Sequence, residues 1–340
     1  MPGKEHVTDR PAPWESGLVI VDKPGGMTSH DVVARVRRLA RTRRVGHAGT
    51  LDPMATGVLV VGIEKATRLL GHLMLTEKTY HATIRLGQST TTDDAEGEPT
   101  GMALRPATEV SAAALNAEIA RLTGDIRQVP SSVSAIKVNG QRAYKLTRAG
   151  EAPELAARPV TIYEFRVLGV SEAGGFLDVD ARIRCSSGTY VRALARDLGA
   201  ALGTGGHLTA LRRTAVGPYT LAQAHTLKEL EDQVQDQENS PERIQPTLDA
   251  PTVTPLAQAA AAAFPRVDLT ADEALRLAQG ARLALPASVA TSGNHSHGTP
   301  LAAFDPEGIL VALVTAEDGR LRSLAVFVDA AAKTARTSDT

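Results

Sequence analysis

The segment from Gly46 to Gly57, GHAGTLDPMATG, holds one carboxylate, that of Asp52, among residues that regular secondary structure tolerates poorly. Its glycines allow positive φ and close backbone approach, and Pro53 biases the preceding Asp52 away from the helical region. The apolar run from Val58 to Val61 follows directly and predicts a buried strand. We therefore expect Asp52 to lie on a rigid, bent loop anchored to a core, where binding and catalytic groups are common.

Asp before Pro is also ordinary turn chemistry, so a turn cap is the alternative interpretation of Asp52. The preceding residues favour a functional site. Six arginines and no acid lie between Arg35 and Arg44, where we expect a helix. Because these charges repel one another, a polyanion that neutralises them is the expected partner, and a merely solvated helix face is the alternative.

The charge balance limits how this chain can bind nucleic acid. The formal net charge is −1, with 37 basic and 38 acidic residues, so RNA binding depends on segregated charge. Bases cluster in residues 35–44 and 121–148, and acids cluster in residues 229–242. One face can therefore attract phosphate while the total charge stays near zero.

Several classes of protein are disfavoured. The single cysteine, Cys185, excludes an intrachain disulfide and Cys-rich zinc motifs, and it fits a reducing cytoplasm. Neither a secretory signal nor a run of about 18 apolar residues is present. No P-loop, G-x-G-x-x-G or H-E-x-x-H motif occurs. His295 and His297 lie in a polar loop without a third ligand type nearby, so we expect no metal and no cofactor, in a cytoplasmic protein that does not enter a membrane.

Two neighbouring elements bring polar residues to one junction. Alternation from Leu177 to Cys185 predicts a strand, and a helix is expected from about Tyr190 to Leu202. Tyr190 and Arg192 then lie in the first helical turn, where site residues are common, although a tyrosine there more often packs into a core. Residues 124–150 mix turn signals with bases, as expected of an insertion that folds over a ligand; an ordinary mobile surface loop is the alternative.

The C-terminal third changes in composition. Gln233 to Ala263 is rich in Gln, Pro, Asp and Ala, which predicts a linker and a domain boundary. Thr270 with Glu273 predicts a capping box, and the short apolar runs after residue 300 predict a small β-rich domain.

Short motifs follow one another along residues 17–220. They are DKPGGMTS from Asp22 to Ser29, the Gly46 to Gly57 loop, KTY from Lys78 to Tyr80, Gly124-Asp125-Ile126 with Gln128 through Lys137, CSSGTYVR from Cys185 to Arg192, and His207 to Arg213. In this order they resemble the bacterial tRNA pseudouridine-55 synthases, the TruB family. The loop that carries Asp52 is specific to this group of synthases.

The resemblance implies conversion of a uridine in the T-loop of tRNA to pseudouridine, without a cofactor. By motif position, Asp52 would be the nucleophile and Arg192 would pair with it. His47 would enter the T-loop and support base extrusion. Tyr80 would stack on the flipped uracil and is a candidate to take its C5 proton; by strand periodicity alone, core packing is the alternative. Further pocket positions implied by the motifs are Tyr190, Leu211 and Lys23.

The resemblance also implies an α+β fold, with a pseudouridine-synthase-type mixed, largely antiparallel sheet flanked by helices and a small C-terminal β-rich PUA-like domain. The expected ranges are a disordered lead-in (1–16), a catalytic domain (17–232) with an RNA-covering insertion (124–150), a linker (233–263) and the PUA-like RNA-binding domain (264–340). The expected partner is the T-arm of tRNA, bound by a monomer without an obligatory protein partner. The phosphate-binding residues would be Arg37, Arg38, Arg41, Arg44, Lys137 and Arg142.

Three other functions remain open at this stage. A retaining glycosidase also uses an Asp nucleophile, but it needs a second carboxylate about 5 to 5.5 Å away, and the Asp52 loop offers none. A tRNA-binding folding chaperone would use the same arginines. A guide-RNA-dependent synthase is the third, although the lysine-rich tails associated with that branch are missing.

Overall fold

The computed structural model describes residues 14–101, 103–132, 137–138, 141–142, 155–239, 252–286 and 298–328. Within these residues the strands are β1 (Gly17–Lys23), β2 (Val45–Ala48), β3 (Thr56–Ile63), β4 (Lys78–Leu86), β5 (Ser89–Thr90), β6 (Pro99–Thr100), β7 (Gly124–Gln128), β8 (Lys137–Val138), β9 (Gln141–Arg142), β10 (Arg158–Ala173), β11 (Phe176–Cys185), β12 (Gly206–Val216), β13 (Tyr219–Thr220), β14 (Thr254–Pro255), β15 (Arg266–Asp268), β16 (Leu283–Ala284), β17 (Leu301–Phe304), β18 (Leu310–Glu317) and β19 (Arg320–Val326). The α-helices are α1 (Ser29–Leu39), α2 (Leu70–Leu73), α3 (Ala112–Arg121), α4 (Val191–Ala201), α5 (Leu227–Asn239), α6 (Leu256–Ala263) and α7 (Ala271–Ala278).

The larger sheet has ten described strands, in the order β14-β1-β3-β12-β4-β11-β10-β7, with β2 beside β3 and β13 beside β12. Its described strand pairs are antiparallel except for β3 and β12, which run parallel and pair Thr56 with Arg212 and Gly57 with Arg213. This sheet and its flanking helices confirm the expected α+β fold. The parallel pair brings the end of the Asp52 loop against a strand from much later in the chain.

The side-chain pattern of β4 explains how the sheet is covered. Tyr80, Ala82, Ile84 and Leu86 are buried and alternate with more exposed residues, so they share one face. Leu194 and Leu198 of α4 pack in the same hydrophobic cluster. The predicted strand at 177–185 and the predicted helix at 190–202 are both confirmed, as β11 and α4.

Helix α1 begins with a capping box between Thr28 and Asp31. It ends at Leu39, earlier than the predicted end of the arginine helix at Arg44. Ala40 closes the helix and Arg41 takes a left-handed backbone with φ of 50°. The last three arginines of the run therefore lie beyond the helix, in the turn that leads into β2.

Three predicted ranges differ in part from the structure. Trp14, at the end of the predicted disordered lead-in, is buried among the valines of α1 and β1, because an indole has a large apolar area to bury. The first five residues of the predicted insertion are β7, an edge strand of the main sheet. The predicted linker contains the end of α5 and all of α6. The alanine run of α6 has the composition of a low-complexity linker, but it forms a helix because alanine is the strongest helix former.

A smaller sheet follows, in the order β15-β17-β18-β19-β16, which confirms the β-rich C-terminal domain. Its apolar face joins the main domain in one buried cluster that contains Leu18 and Val60 from the first sheet and Phe304 and Leu313 from the second. The Tyr219 hydroxyl also donates to the Ala259 carbonyl at 2.8 Å. The part that holds the larger sheet and the C-terminal part therefore share a core.

Candidate active site

The Asp52 loop connects β2 to β3 and is held by hydrogen bonds on both sides of the aspartate. The Ser29 hydroxyl accepts from the Leu51 N–H at 2.9 Å, and the Pro53 carbonyl accepts from the Gly26 N–H at 2.9 Å. The Asp52 carbonyl accepts from the Ala55 N–H at 3.1 Å, which closes a turn. Because the turn uses the backbone carbonyl, the carboxylate of Asp52 is left for another partner.

That partner is Arg192, in the first turn of α4. Its Nε lies 3.0 Å from Oδ2 of Asp52, and its side chain is 5% exposed against 38% for Asp52. The guanidinium is fixed from its other side, where Nη1 lies 3.3 Å from Oδ2 of Asp94 and donates to the Thr92 carbonyl at 2.8 Å. A buried cation thus lies against a half-exposed carboxylate at the cavity wall.

Asp94 was not predicted as a site residue. It is 3% exposed and also accepts from the Glu96 N–H at 3.1 Å. The sequence signal was the run Thr91-Thr92-Asp93-Asp94 inside a predicted loop. That run reads as a turn because nothing in it shows that one carboxylate is buried against an arginine about a hundred residues later.

Asp52 faces a cavity of about 380 Å³. The cavity brings together five of the predicted site residues, Asp52, Tyr80, Tyr190, Arg192 and Leu211. Its lining also includes the basic residues Lys78 and Arg213. Asp52 is the one carboxylate among the described residues that line it. The cavity therefore combines apolar walls and aromatic rings with basic side chains and one carboxylate.

Tyr80 is 8% exposed and belongs to the hydrophobic core while also lining the cavity. The two interpretations of its strand position are therefore compatible. Burial raises the pKa of the Tyr80 phenol above its usual range, and the nearby Arg213 charge opposes that rise. Tyr80 is accordingly a neutral phenol at physiological pH.

Lys78 and Arg213 are cavity residues that the sequence analysis did not assign. The Lys78 ammonium donates to the Met74 and Thr76 carbonyls at 2.5 Å. Burial, and then the Arg213 charge, lower the pKa of Lys78 to about 8. Lys78 belongs to the KTY motif, but a single lysine in a strand pattern does not indicate that its side chain is buried.

Tyr190 is positioned through its backbone. The Gln128 side chain accepts from the Tyr190 N–H at 2.9 Å and donates to the Tyr190 carbonyl at 3.1 Å. Gln128 is 2% exposed and ends the edge strand β7. The amide therefore fixes the start of α4, and with it the position of Arg192.

Lys23 and His47 are not among the described residues that line the cavity. Lys23 is fully buried, and its Nζ donates to the carbonyls of Met27 at 2.6 Å and Pro53 at 3.2 Å. Burial lowers the pKa of Lys23, and the Asp52 charge opposes that shift. Lys23 thus braces the residue after Asp52.

His47 lies in β2, with its ring centroid 5.5 Å from that of His30 in an edge-to-face arrangement. Burial, followed by the charges of His30 and Arg213, lowers the pKa of His47 below its ordinary value. At neutral pH the ring is therefore uncharged and suited to apolar or stacking contacts.

The arginine run has more acidic partners than its sequence suggests. Arg35 lies 3.2 Å from Glu231 of α5, and Arg44 lies 3.6 Å from Glu64. Arg37 donates to the Val45 carbonyl at 3.0 Å. Arg38 and Arg41 are exposed. Lys137 and Arg142 pair as residues of β8 and β9, and their side chains lie outside the described part of the chain.

A second cavity of about 580 Å³ lies over the opposite face of the sheet, where His81 and Thr83 point. The charged side chains Arg212 and Asp180 of its lining already have partners. The Arg212 guanidinium forms an ion pair with Asp22 at 2.7 Å, and the Thr83 hydroxyl donates to Asp180 at 2.6 Å. In the described ranges no helix is long and apolar enough to span a membrane, and no cluster of three His, Cys, Asp or Glu residues could hold a metal. His295 and His297 lie outside the described residues.

Family models match three consecutive parts of the chain. Residues 37–191 match the TruB family pseudouridylate synthase N-terminal domain, residues 192–257 match a tRNA pseudouridylate synthase B C-terminal domain, and residues 264–328 match the C-terminal domain of tRNA pseudouridine synthase II. The matches cover the Asp52 loop, Arg192 and the small sheet in turn.

Individual relatives agree with these models. The chain is 58% identical to tRNA pseudouridine synthase B of Thermobifida fusca, over 92% of this chain and 98% of the relative. It is 57% identical to tRNA pseudouridine synthase B of Arthrobacter sp., over 92% and 96%. Among solved structures, a chain of a Cbf5-Nop10-Gar1 complex is 26% identical, with a TM-score of 0.69, over 93% of this chain and 86% of that one.

Proposed function

The chain belongs to the TruB family of pseudouridylate synthases, and from that premise we propose that it isomerises the uridine at position 55, in the T-loop of tRNA, without a cofactor. Its relatives over 92% of the chain are tRNA pseudouridine synthases, which supports tRNA uridine isomerisation. The observation that carries the proposal is the ion pair of 3.0 Å between Asp52 and Arg192 at the cavity wall.

The reaction needs one anionic side chain and a dry cavity. The N1–C1′ bond of the uridine breaks and a C5–C1′ bond forms, while C5 loses one proton and N1 gains one, so that no oxidant or reductant takes part. An ionised Asp52 adds covalently to the sugar or to the base, or stabilises positive charge on the sugar. Leu211 and the neighbouring apolar strands keep water from a freed sugar.

The target base must leave its stack to reach Asp52, which costs a few kcal/mol. In this proposal His47 enters the space that the base leaves, and Tyr80 stacks on the extruded uracil for about 1 to 3 kcal/mol. Because burial raises the pKa of Tyr80, the tyrosine enters the reaction as a phenol. If Tyr80 takes the C5 proton, its hydroxyl oxygen therefore accepts that proton while the phenol proton moves to another acceptor.

The lining of the cavity favours isomerisation over glycosidic hydrolysis. A retaining hydrolase needs a second carboxylate as its acid/base, and among the described lining residues Asp52 is the one carboxylate. Asp94, the other carboxylate in contact with Arg192, has a side chain that is 4% exposed and lies 3.3 Å from that guanidinium. It is therefore not free to protonate a leaving group.

The remaining parts of the chain are assigned to RNA binding. Arg37, Arg38, Arg41 and Arg44, with Lys137 and Arg142 of the insertion, would hold T-arm phosphates, and the shape of the folded loop would select the target. The C-terminal domain would act as a PUA-like RNA-binding domain. The proposal includes a cytoplasmic monomer without an obligatory protein partner.

The deciding experiment incubates the protein with an unmodified tRNA transcript and EDTA, and maps pseudouridine at single-nucleotide resolution. We expect product at the T-loop uridine with wild type and with the control Asp180→Asn, and none with Asp52→Asn, whose affinity for tRNA stays within about 3-fold because no phosphate contact is lost. Substantial product with Asp52→Asn would falsify the nucleophile assignment.

A tRNA-folding chaperone is the second candidate function. Exposed arginines at the end of α1 favour it, since phosphate contacts alone suffice for binding. Tight binding of the transcript without any isomerisation by wild type would support the chaperone in place of the synthase.

A further inference from the structure

Arg213 is a buried arginine without an acidic partner in contact. It lies in β12 with 1% of its surface exposed, and among the described residues no carboxylate lies within ion-pair distance of it. A buried charge is costly unless hydrogen bonds compensate it. The hydrogen bonds of its side chain lead to carbonyls of the Asp52 loop and of the strand that follows this loop.

The guanidinium binds both ends of the Asp52 loop. Nη2 donates to the Gly49 carbonyl at 3.0 Å and Nη1 to the Thr50 carbonyl at 3.5 Å, on the side before Asp52. Nε donates to the Val58 carbonyl at 2.7 Å, on the side after it. The planar fork thus fixes the distance between the two ends of the loop.

The backbone of Arg213 restrains the same loop. Gly57 is its partner in the parallel pair, and a Cβ on Gly57 would lie 2.2 Å from the Arg213 carbonyl oxygen. The φ of Gly57 is 99°, which side-chain-bearing residues rarely adopt. Main chain and side chain of one residue therefore hold the loop in place.

Arg213 is also the register partner of Tyr80 across β4 and β12, and both residues line the cavity beside Asp52. The charge of Arg213 opposes the rise that burial causes in the pKa of Tyr80. Arg213 therefore connects the loop that carries Asp52 to the strand that carries Tyr80.

We propose that Arg213 is a positioning residue that fixes the Asp52 loop against the strand that carries Tyr80. The inference rests on the proposed function, because it assigns Asp52 and Tyr80 to one reaction. One guanidinium thereby sets the spacing between the nucleophile and the stacking phenol.

The test compares Arg213→Lys with Arg85→Lys in single-turnover assays on the tRNA transcript. The lysine keeps the charge but cannot span three carbonyls, so we expect a rate about 100-fold lower, as for a displacement near 1 Å. The tRNA Kd should stay within about 3-fold because the contacts to phosphate are intact. Arg85 pairs with Asp178 at 2.6 Å and is not among the described residues that line the cavity, so its variant should keep the wild-type rate.

A folded Arg213→Lys protein with the wild-type rate would overturn the inference, as would a rate loss fully explained by weaker tRNA binding. An inactive wild type would instead refute the proposed function. If Arg213→Lys does not fold, nuclear magnetic resonance of wild type decides. We expect slowly exchanging guanidinium protons of Arg213 with a nuclear Overhauser effect to the Tyr80 ring, and freely exchanging protons without that effect would overturn the inference.

Discussion

The backbone and the side chain of Asp52 make different contacts. The backbone carbonyl closes a turn with Ala55, and the carboxylate meets Arg192 at 3.0 Å. The sequence predicted the turn and the functional carboxylate as rival interpretations; the structure contains the turn, and it leaves the carboxylate in contact with Arg192. Local sequence could not decide between them, because the direction of a side chain depends on residues that pack from elsewhere in the fold.

Asp94 should matter for turnover although it does not line the cavity. Asp94→Asn keeps the size of the side chain but removes one of the two carboxylates around Arg192. We expect turnover to fall about 10- to 100-fold, the equivalent of one lost charged hydrogen bond, with tRNA affinity unchanged. Steady-state kinetics on the transcript measures both quantities.

Asp93 provides the matched control for this change. Its carboxylate pairs with Arg196 at 3.2 Å and not with Arg192. Its φ of 61° also suits asparagine. Equal loss of turnover in Asp93→Asn and Asp94→Asn would show that the loop as a whole, and not the contact with Arg192, is responsible.

Lys78 should make stability depend on pH. Its pKa is lowered from 10.5 to about 8 in the folded protein, so between these values the unfolded chain binds more protons and the free energy of unfolding rises with pH. From pH 8 to pH 10 the rise due to Lys78 is up to about 2 kcal/mol. Urea unfolding at both pH values should show a smaller rise for Lys78→Met, and identical rises would contradict the burial of the ammonium.

At the scale of single elements, strands and helix caps were predictable where a short stretch of sequence contains the whole pattern. The alternation of β11 and the capping box of α7 are confirmed with nearly the expected bounds. The end of α1 was predicted too late, because arginine is a good helix former and no glycine or proline marks the stop after Leu39. The edge strand β7 was missed because its pairing with β10 is a long-range contact.

The end of α1 should supply much of the salt dependence of tRNA binding. Arg37→Ala combined with Arg41→Ala removes two exposed charges, and we expect the slope of log Kd against log salt to fall by about 2. Filter binding at several salt concentrations measures this slope. Arg35, which is paired with Glu231, serves as the control. If Arg35→Ala lowers the salt slope by as much as each of the two other substitutions does, the assignment of phosphate contacts to Arg37 and Arg41 is wrong.

At the scale of the whole molecule, the family resemblance named the site residues but not how they are held. Asp52, Tyr80, Arg192 and Leu211 were expected in one pocket, and the cavity does bring them together. Lys23 was expected near the pocket, and it binds the carbonyl of Pro53, next to Asp52, from a buried position. The supporting residues Asp94, Gln128 and Arg213 act through contacts that only the folded chain creates.

The shared core predicts that the two parts of the molecule unfold together. Leu313 is fully buried in the cluster that joins both sheets, and Leu313→Ala should lower the free energy of unfolding by about 2 to 5 kcal/mol. Calorimetry should show one transition that moves as a whole. Ile309→Ala, at a residue 38% exposed, should change little; two separate transitions would mean that the domains are independent.

The parallel pairing of β3 with β12 has a consequence for synthesis on the ribosome. Arg213 follows Thr50 by 163 residues. At a synthesis rate of about 5 to 20 residues per second, Arg213 is therefore added roughly 8 to 30 s after the loop that it binds. A nascent chain that already carries Asp52 is therefore an incomplete enzyme. Prematurely terminated products that end before β12 can present the loop but not its fixed geometry, which ties activity to translation of nearly the entire catalytic domain.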